Sequence, residues 1–114
     1  MVLYICVGIE LDTVGSSWES MIFSAKQQGT KVILLTPTGD QRSDLFDPDD
    51  PLNRHAEQIR SLARKHEVAL VDSLKSFKGY IQSGGALKDL MSQVNHPNRK
   101  GHELVANHLL RWFP

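Results

Sequence analysis

The sequence predicts a three-layer α/β fold built on a parallel sheet. Three short apolar runs show no alternation of apolar and polar residues, which suits strands covered on both faces. Between them, apolar residues recur three and four positions apart, the mark of amphipathic helices. Parallel strands joined by helical crossovers place helices on both sides of a sheet. With 114 residues, the chain is expected to form one domain, 1–114, around a single core.

The first run, VLYICVGI, opens with Val2, closes as a strand with Val7 and ends at Gly8. It is too short to span a bilayer and lacks the basic start and cleavage site of a secretory signal, so as written the chain is expected to be cytoplasmic. A longer parent chain could be secreted. Cys6, the lone cysteine, reads as a buried thiol rather than a nucleophile. GSSWESMIFSAKQQGTK then predicts a helix, with Ser16 as N-cap, Glu19 completing a capping box, and Gly29 as the C-terminal stop. Trp18, Met21, Ile22 and Ala25 mark its apolar face.

KVILLTP, residues 31–37, is the second buried strand. The polar TGDQRSDLFDPDDP that follows predicts a surface loop, and loops of this length tend to be functional or mobile. Asp50 and Pro51 form an N-cap and first-turn pair opening a second helix, with Leu52, Ala56, Ile59, Leu62 and Ala63 on its buried face. VALVD, residues 68–72, is the third strand. Gly79, Gly84 and Gly85 break the next stretch into short helical pieces around a loop. Asn98 caps a last helix, RKGHELVANHLLRWF, with Leu104, Val105, Leu109 and Trp112 as its stripe.

Thirteen basic and thirteen acidic residues cancel, so no electrostatic footprint for nucleic acid or an anionic membrane is present. A partner that is neutral or small is expected. In open α/β sheets, ligands bind beyond the carboxyl ends of the strands. That rim would gather residues 8–15, residues 36–51, the segment from Asp72 onward and the loop holding His96. His96 is the candidate general base, because an imidazole titrates near neutral pH and can take and return a proton. Its bland alternative is a solvated loop histidine.

Other groupings favour structural roles. Ser16 and Ser17 read as caps, and Ser92 lacks the Gly-x-Ser-x-Gly surroundings of a nucleophile. His96, His102 and His108 recur every six residues, a spacing that does not converge on a metal. DLFDPDD lacks the glycine and distal glutamate of a calcium loop, and no glycine pattern cradles a phosphate. No metal and no cofactor are expected. A receiver-like signalling domain would need an acidic cluster and a lysine at strand ends, neither of which is visible.

QVNHPNRKGHELVANHLL resembles the last block of the SGNH/GDSL hydrolase family, in which a His-Pro pair precedes the C-terminal helix. LYICVGIELD resembles the family's strand ending in Gly-x-Asn-Asp, KVILLTPTGD the strand and Thr-Pro turn after it, and HEVALVDSLKSF the strand before the histidine block. The resemblance implies a flavodoxin-like sandwich that hydrolyses esters or acyl groups without metal or cofactor. In that chemistry a serine attacks the carbonyl, the histidine takes its proton, an aspartate three residues before the histidine orients the ring, and N–H donors stabilise the oxyanion.

Carried over by position, the resemblance makes His96 the base, Gly8 the third-block glycine and Asn95, beside the base, a substrate-binding residue. Glu10 stands where the oxyanion asparagine belongs, and its carboxylate repels the charge to be stabilised. Gln93 stands where the orienting aspartate belongs and carries no charge. The Gly-Asp-Ser nucleophile would lie upstream of Leu3. The expectation is therefore the C-terminal part of such a hydrolase, lacking the N-terminal strands and inactive alone. The alternative is a non-catalytic binding or assembly module on the same scaffold. Without a neighbouring strand, the run from Val2 to Val7 is an apolar sheet edge, so the chain is expected to form a homo-oligomer through it.

Overall fold

The computed structural model describes residues 2–5 and 11–113, with side chains from residue 18 onward. Three strands, β1 (Val2–Ile5), β2 (Lys31–Leu35) and β3 (Ala69–Val71), form a parallel sheet in the order β1-β2-β3. Tyr4 lies opposite Ile33, and Leu34 opposite Leu70. The connections between them are α1 (Leu11–Gln27) and α2 (Pro51–His66). After β3 come α3 (Ser73–Gln82), a 3-10 turn (Leu87–Leu90), the small antiparallel pair β4 (Met91–Gln93) and β5 (His96–Pro97), and α4 (Arg99–Leu110).

The middle strand is apolar on both faces because both faces are covered: Val32, Ile33 and Leu34 are all buried. Val32 and Leu34 join Trp18, Ile22 and Ala25 of α1 and Ile59, Leu62 and Ala63 of α2 in one apolar cluster. Alternation turns Ile33 and Val71 to the opposite face, the side on which α4 packs against β3. A second cluster of Leu45, Ala56, Leu74, Phe77, Leu90 and Met91 fills the space between α2, α3 and the 3-10 turn. α2 therefore feeds both clusters, Ile59 and Leu62 on one side and Ala56 on the other.

The second helix opens as expected: Asp50 is the N-cap and its carboxylate accepts the Leu52 amide at 3.0 Å, with Pro51 in the first turn. Gly29 closes α1 at φ 74°, and the Gly29 and Thr30 amides return to the Lys26 and Ala25 carbonyls. This is the left-handed closure for which glycine carries no steric penalty.

Several boundaries differ from the sequence reading. α1 starts at Leu11, so Ser16 lies inside the helix and is not its N-cap. The packing of Trp18, Ile22 and Ala25 outweighs the roughly 1 kcal/mol that an interior glycine such as Gly15 costs. Asp72 does not end the third strand but caps α3, accepting the Lys75 amide. α3 runs unbroken through Gly79, because buried Leu74 and Phe77 anchor it. The loop of residues 36–50 is well tied. Its Leu45 is buried, and the Asn53 side-chain amide donates to the Leu45 and Asp47 carbonyls. α4 ends at Leu110, leaving Trp112 beyond the helix.

Candidate active site

The carboxyl end of the sheet delivers the residues that form a rim. Beyond β2 the chain supplies Thr36, Pro37, Thr38, Gly39 and Asp40, beyond β3 it supplies Ser73, and the β4–β5 connection adds Asn95 and Pro97. With Leu52 of α2 and His102 and Val105 of α4, these line an open cavity of about 380 Å³. The rim is held from behind. Gln41 N donates to Val94 O at 2.8 Å, tying the loop after β2 to the β4–β5 turn. Gly39 is buried so tightly that a Cβ there would stand 2.6 Å from Leu87 Cδ1.

The residues before α4 are set by Asn98. Its backbone N–H donates to Leu90 O, its side-chain amide to Asp89 O, and its Oδ1 accepts the Gly101 amide as the helix N-cap. Gly101 packs onto the same carbonyl: an added Cβ would lie 2.4 Å from Leu90 O. The Asn-x-x-Gly spacing of this block thus has a local physical reason, a cap followed by a close backbone approach.

His96 sits on β5 with Gln93 as its backbone partner on β4. Both side chains are exposed, and neither has a side-chain hydrogen bond among the described residues. His96 does not line the 380 Å³ cavity, whereas its neighbour Asn95 does. Ser92 donates its hydroxyl to the His96 and Pro97 carbonyls, at 3.1 and 3.3 Å, which is a structural use of that hydroxyl. Gly8, Glu10 and Cys6 lie outside the described residues.

Three rim residues were not singled out as candidates for chemistry in the sequence. Ser73 is buried, and its Oγ has no hydrogen-bond partner among the described residues. His102, from the sequence a solvated helix histidine, is exposed and also lines the cavity. Asp40 is committed: its carboxylate accepts three hydrogen bonds from Arg42, which hold it below the usual carboxylate range and keep it ionised. It is no proton donor at neutral pH.

Behind the rim lies a polar network. Asp72 accepts from Arg60 Nε at 2.7 Å and Nη2 at 3.0 Å, from Thr36 Oγ1 at 3.0 Å and from the Lys75 amide at 3.1 Å. Burial pushes the Asp72 carboxyl up, but Arg60, the Lys75 amide and Thr36 together outweigh it and hold the group below its ordinary value. Thr36 in turn accepts the Leu74 amide, so the end of β2 and the start of α3 are fixed to each other.

No family model matches the chain, and no curated protein matches it. Solved structures do. An acetyl xylan esterase superposes with a TM-score of 0.83 at 22% identity, covering 99% of this chain and 67% of its own. An acetylxylan esterase from Geobacillus stearothermophilus gives 0.77 at 19%, covering 96% and 57%. A member of the lipolytic G-D-S-L family from Veillonella parvula gives 0.73 at 23%, covering 93% and 55%. The fold is that of the SGNH/GDSL hydrolases, as the His-Pro-Asn block led us to expect. The chain spans about half the length of the Geobacillus structures that it matches, 46% to 57%. Among the described residues, no helix is long and apolar enough to cross a membrane.

Proposed function

We propose that the chain is the base-bearing part of an SGNH/GDSL-type ester or acyl hydrolase, with His96 as the base and no turnover by these 114 residues alone. The observation that carries the reading is the placement of His96 immediately before α4, on a fold shared with acetyl xylan esterases. In the Geobacillus enzyme, structures described as catalytic mutants replace a serine, an aspartate and a histidine by alanine, the aspartate lying three positions before the histidine. Gln93 and His96 have that separation here. The substrate class follows by the same analogy: a small ester or acyl compound, held by Asn95 and by the Gly8–Glu10 segment.

A second reading is a non-catalytic binding module. It is favoured by Gln93, which has no charge to stabilise an imidazolium and does not reach the His96 ring. Both readings predict no reactive serine, since the sequence contains no Gly-Asp-Ser triplet. Treatment with a fluorophosphonate probe followed by intact-mass measurement is expected to leave the chain unlabelled. A stoichiometric adduct on any serine would overturn the assignment. The gene immediately upstream separates the readings: an in-frame Gly-Asp-Ser segment supports the hydrolase part, and its absence supports the binding module.

A further inference from the structure

A second open cavity, of about 470 Å³, lies between α3 and α4 and shares no residue with the rim. Asp72, Lys75 and Ser76 line it from the start of α3, and Leu104, Asn107, His108 and Arg111 from α4. Residues three and four apart share one face of a helix, so each helix turns a single face to this space. The cavity stands at the β3 end of the sheet, with β2 between it and β1.

The charges around it do not cancel. Asp72 is the one carboxylate of the lining, and Arg60 already holds it with two hydrogen bonds. Exposed cations elsewhere on the helices are paired, Arg64 with Glu57 and Arg99 with Glu103. Lys75 and Arg111 are not: among the described residues, neither side chain has an ion pair or a hydrogen bond. Lys78, one turn after Lys75, adds to the excess. Burial first, and then the Arg60 charge, push its ammonium group below the ordinary value, and Asp72 only partly offsets them.

The groups between Lys75 and Arg111 can donate. Ser76 Oγ lies 3.3 Å from both Asp72 O and His108 Nδ1. A hydroxyl has one proton; given to the Asp72 carbonyl, it leaves Ser76 to accept from His108 Nδ1–H, which fixes the half-buried ring. The Asn107 side chain has no hydrogen bond among the described residues, so its amide is free to donate. Half-buried Leu104 supplies an apolar wall.

We propose that this cavity binds a small phosphate monoester, with Lys75 and Arg111 pairing the phosphate, the Asn107 amide adding a donor and Leu104 facing the organic part. A phosphate monoester carries nearly two negative charges at neutral pH, which two uncommitted cations match, and a guanidinium presents two N–H groups to two of its oxygens. A carboxylate would answer only one of them. The volume is that of a small-molecule site and exceeds a bare ion. The inference is independent of the hydrolase reading.

An amide-resolved NMR titration of the 114-residue chain with phenyl phosphate, at neutral pH and low salt, tests it. Saturable shifts are expected at Lys75, Ser76, Asn107 and Arg111, and none at Asn95 on the rim. Lys75→Gln and Arg111→Gln are each expected to weaken binding about ten-fold, the loss of one charge-assisted hydrogen bond. Both positions are exposed, so circular dichroism is expected to stay unchanged. Arg99→Gln removes an exposed cation of the same helix outside the cavity and is expected to leave the affinity as it is. Inorganic phosphate is expected to shift the same amides at lower affinity, and acetate to shift none. The proposal is overturned by the absence of saturable shifts, by an affinity that either cavity variant leaves unchanged or that Arg99→Gln lowers as much, or by inorganic phosphate or acetate binding as tightly as the monoester.

Discussion

Gly101 and Asn98 explain most of the residue-level order around the candidate base. A methyl group at position 101 meets a backbone carbonyl, Leu90 O, and not the movable end of a side chain. Gly101→Ala is therefore expected to cost about 2 kcal/mol, as overpacking of a filled core does. The measurement is urea unfolding, and a loss below a few tenths would show that α4 can lift. Asp72 makes the second residue-scale prediction. Its folded-state pKa is depressed, so its stabilising contribution is full above the ordinary value of 3.8 and is lost as pH falls through the lower folded value. Asp72→Asn, which leaves Arg60 without its carboxylate, is expected to cost about 3 kcal/mol at neutral pH. The gap between variant and wild type should then narrow below about pH 4. A gap that stays constant to pH 2 would mean that the carboxylate charge contributes nothing.

Elements were legible in the sequence where one signal had one meaning. Asp50-Pro51 could only open a helix, and it does. The three strands were found because apolar runs without alternation have few other uses in a chain of this size, although burial on both faces is seen only for β2, with Ala69 and Leu70 of β3 half-buried and the side chains of β1 outside the described residues. Gly15-Ser16-Ser17 was misleading: it looks like a helix start, yet with Trp18, Ile22 and Ala25 packed in the core α1 begins six residues before Ser17, at Leu11. Asp72 had two possible uses at adjacent positions, strand end or helix cap, and only its bond to the Lys75 amide decides between them.

The apolar stripe on α4 is half-buried and not core, with Leu104, Val105 and Leu109 all of intermediate exposure. Gly101 is the one buried residue of the helix. Leu110, at 63% exposure, makes the contrast testable. Leu110→Glu is expected to change stability by less than about 0.5 kcal/mol. Phe77→Ala, from the centre of the second cluster, is expected to cost about 3 to 5 kcal/mol. Comparable losses from both would mean that α4 is buried in solution.

At the scale of the whole molecule, the fold class and the rim were legible because a parallel α/β sheet brings its strand ends together whatever the details of each helix. The cavity of Thr36 to Asp40, Ser73 and Asn95 follows from that topology. The position of His96 beside the cavity and not in it was not legible. It depends on the two-residue strand β5 and on the register that pairs His96 with Gln93. Nor could the sequence show that Ser73 is sealed or that His102 reaches the rim, because both follow from how α3 and α4 pack on each other. The role proposed for His96 is that of a base with no Gly-Asp-Ser nucleophile within these 114 residues. It is tested most directly by following hydrolysis of an activated acetyl ester by the 114-residue chain and by His96→Ala in parallel. The two progress curves are predicted to coincide with each other and with buffer. A saturable wild-type rate that disappears in His96→Ala would contradict the account.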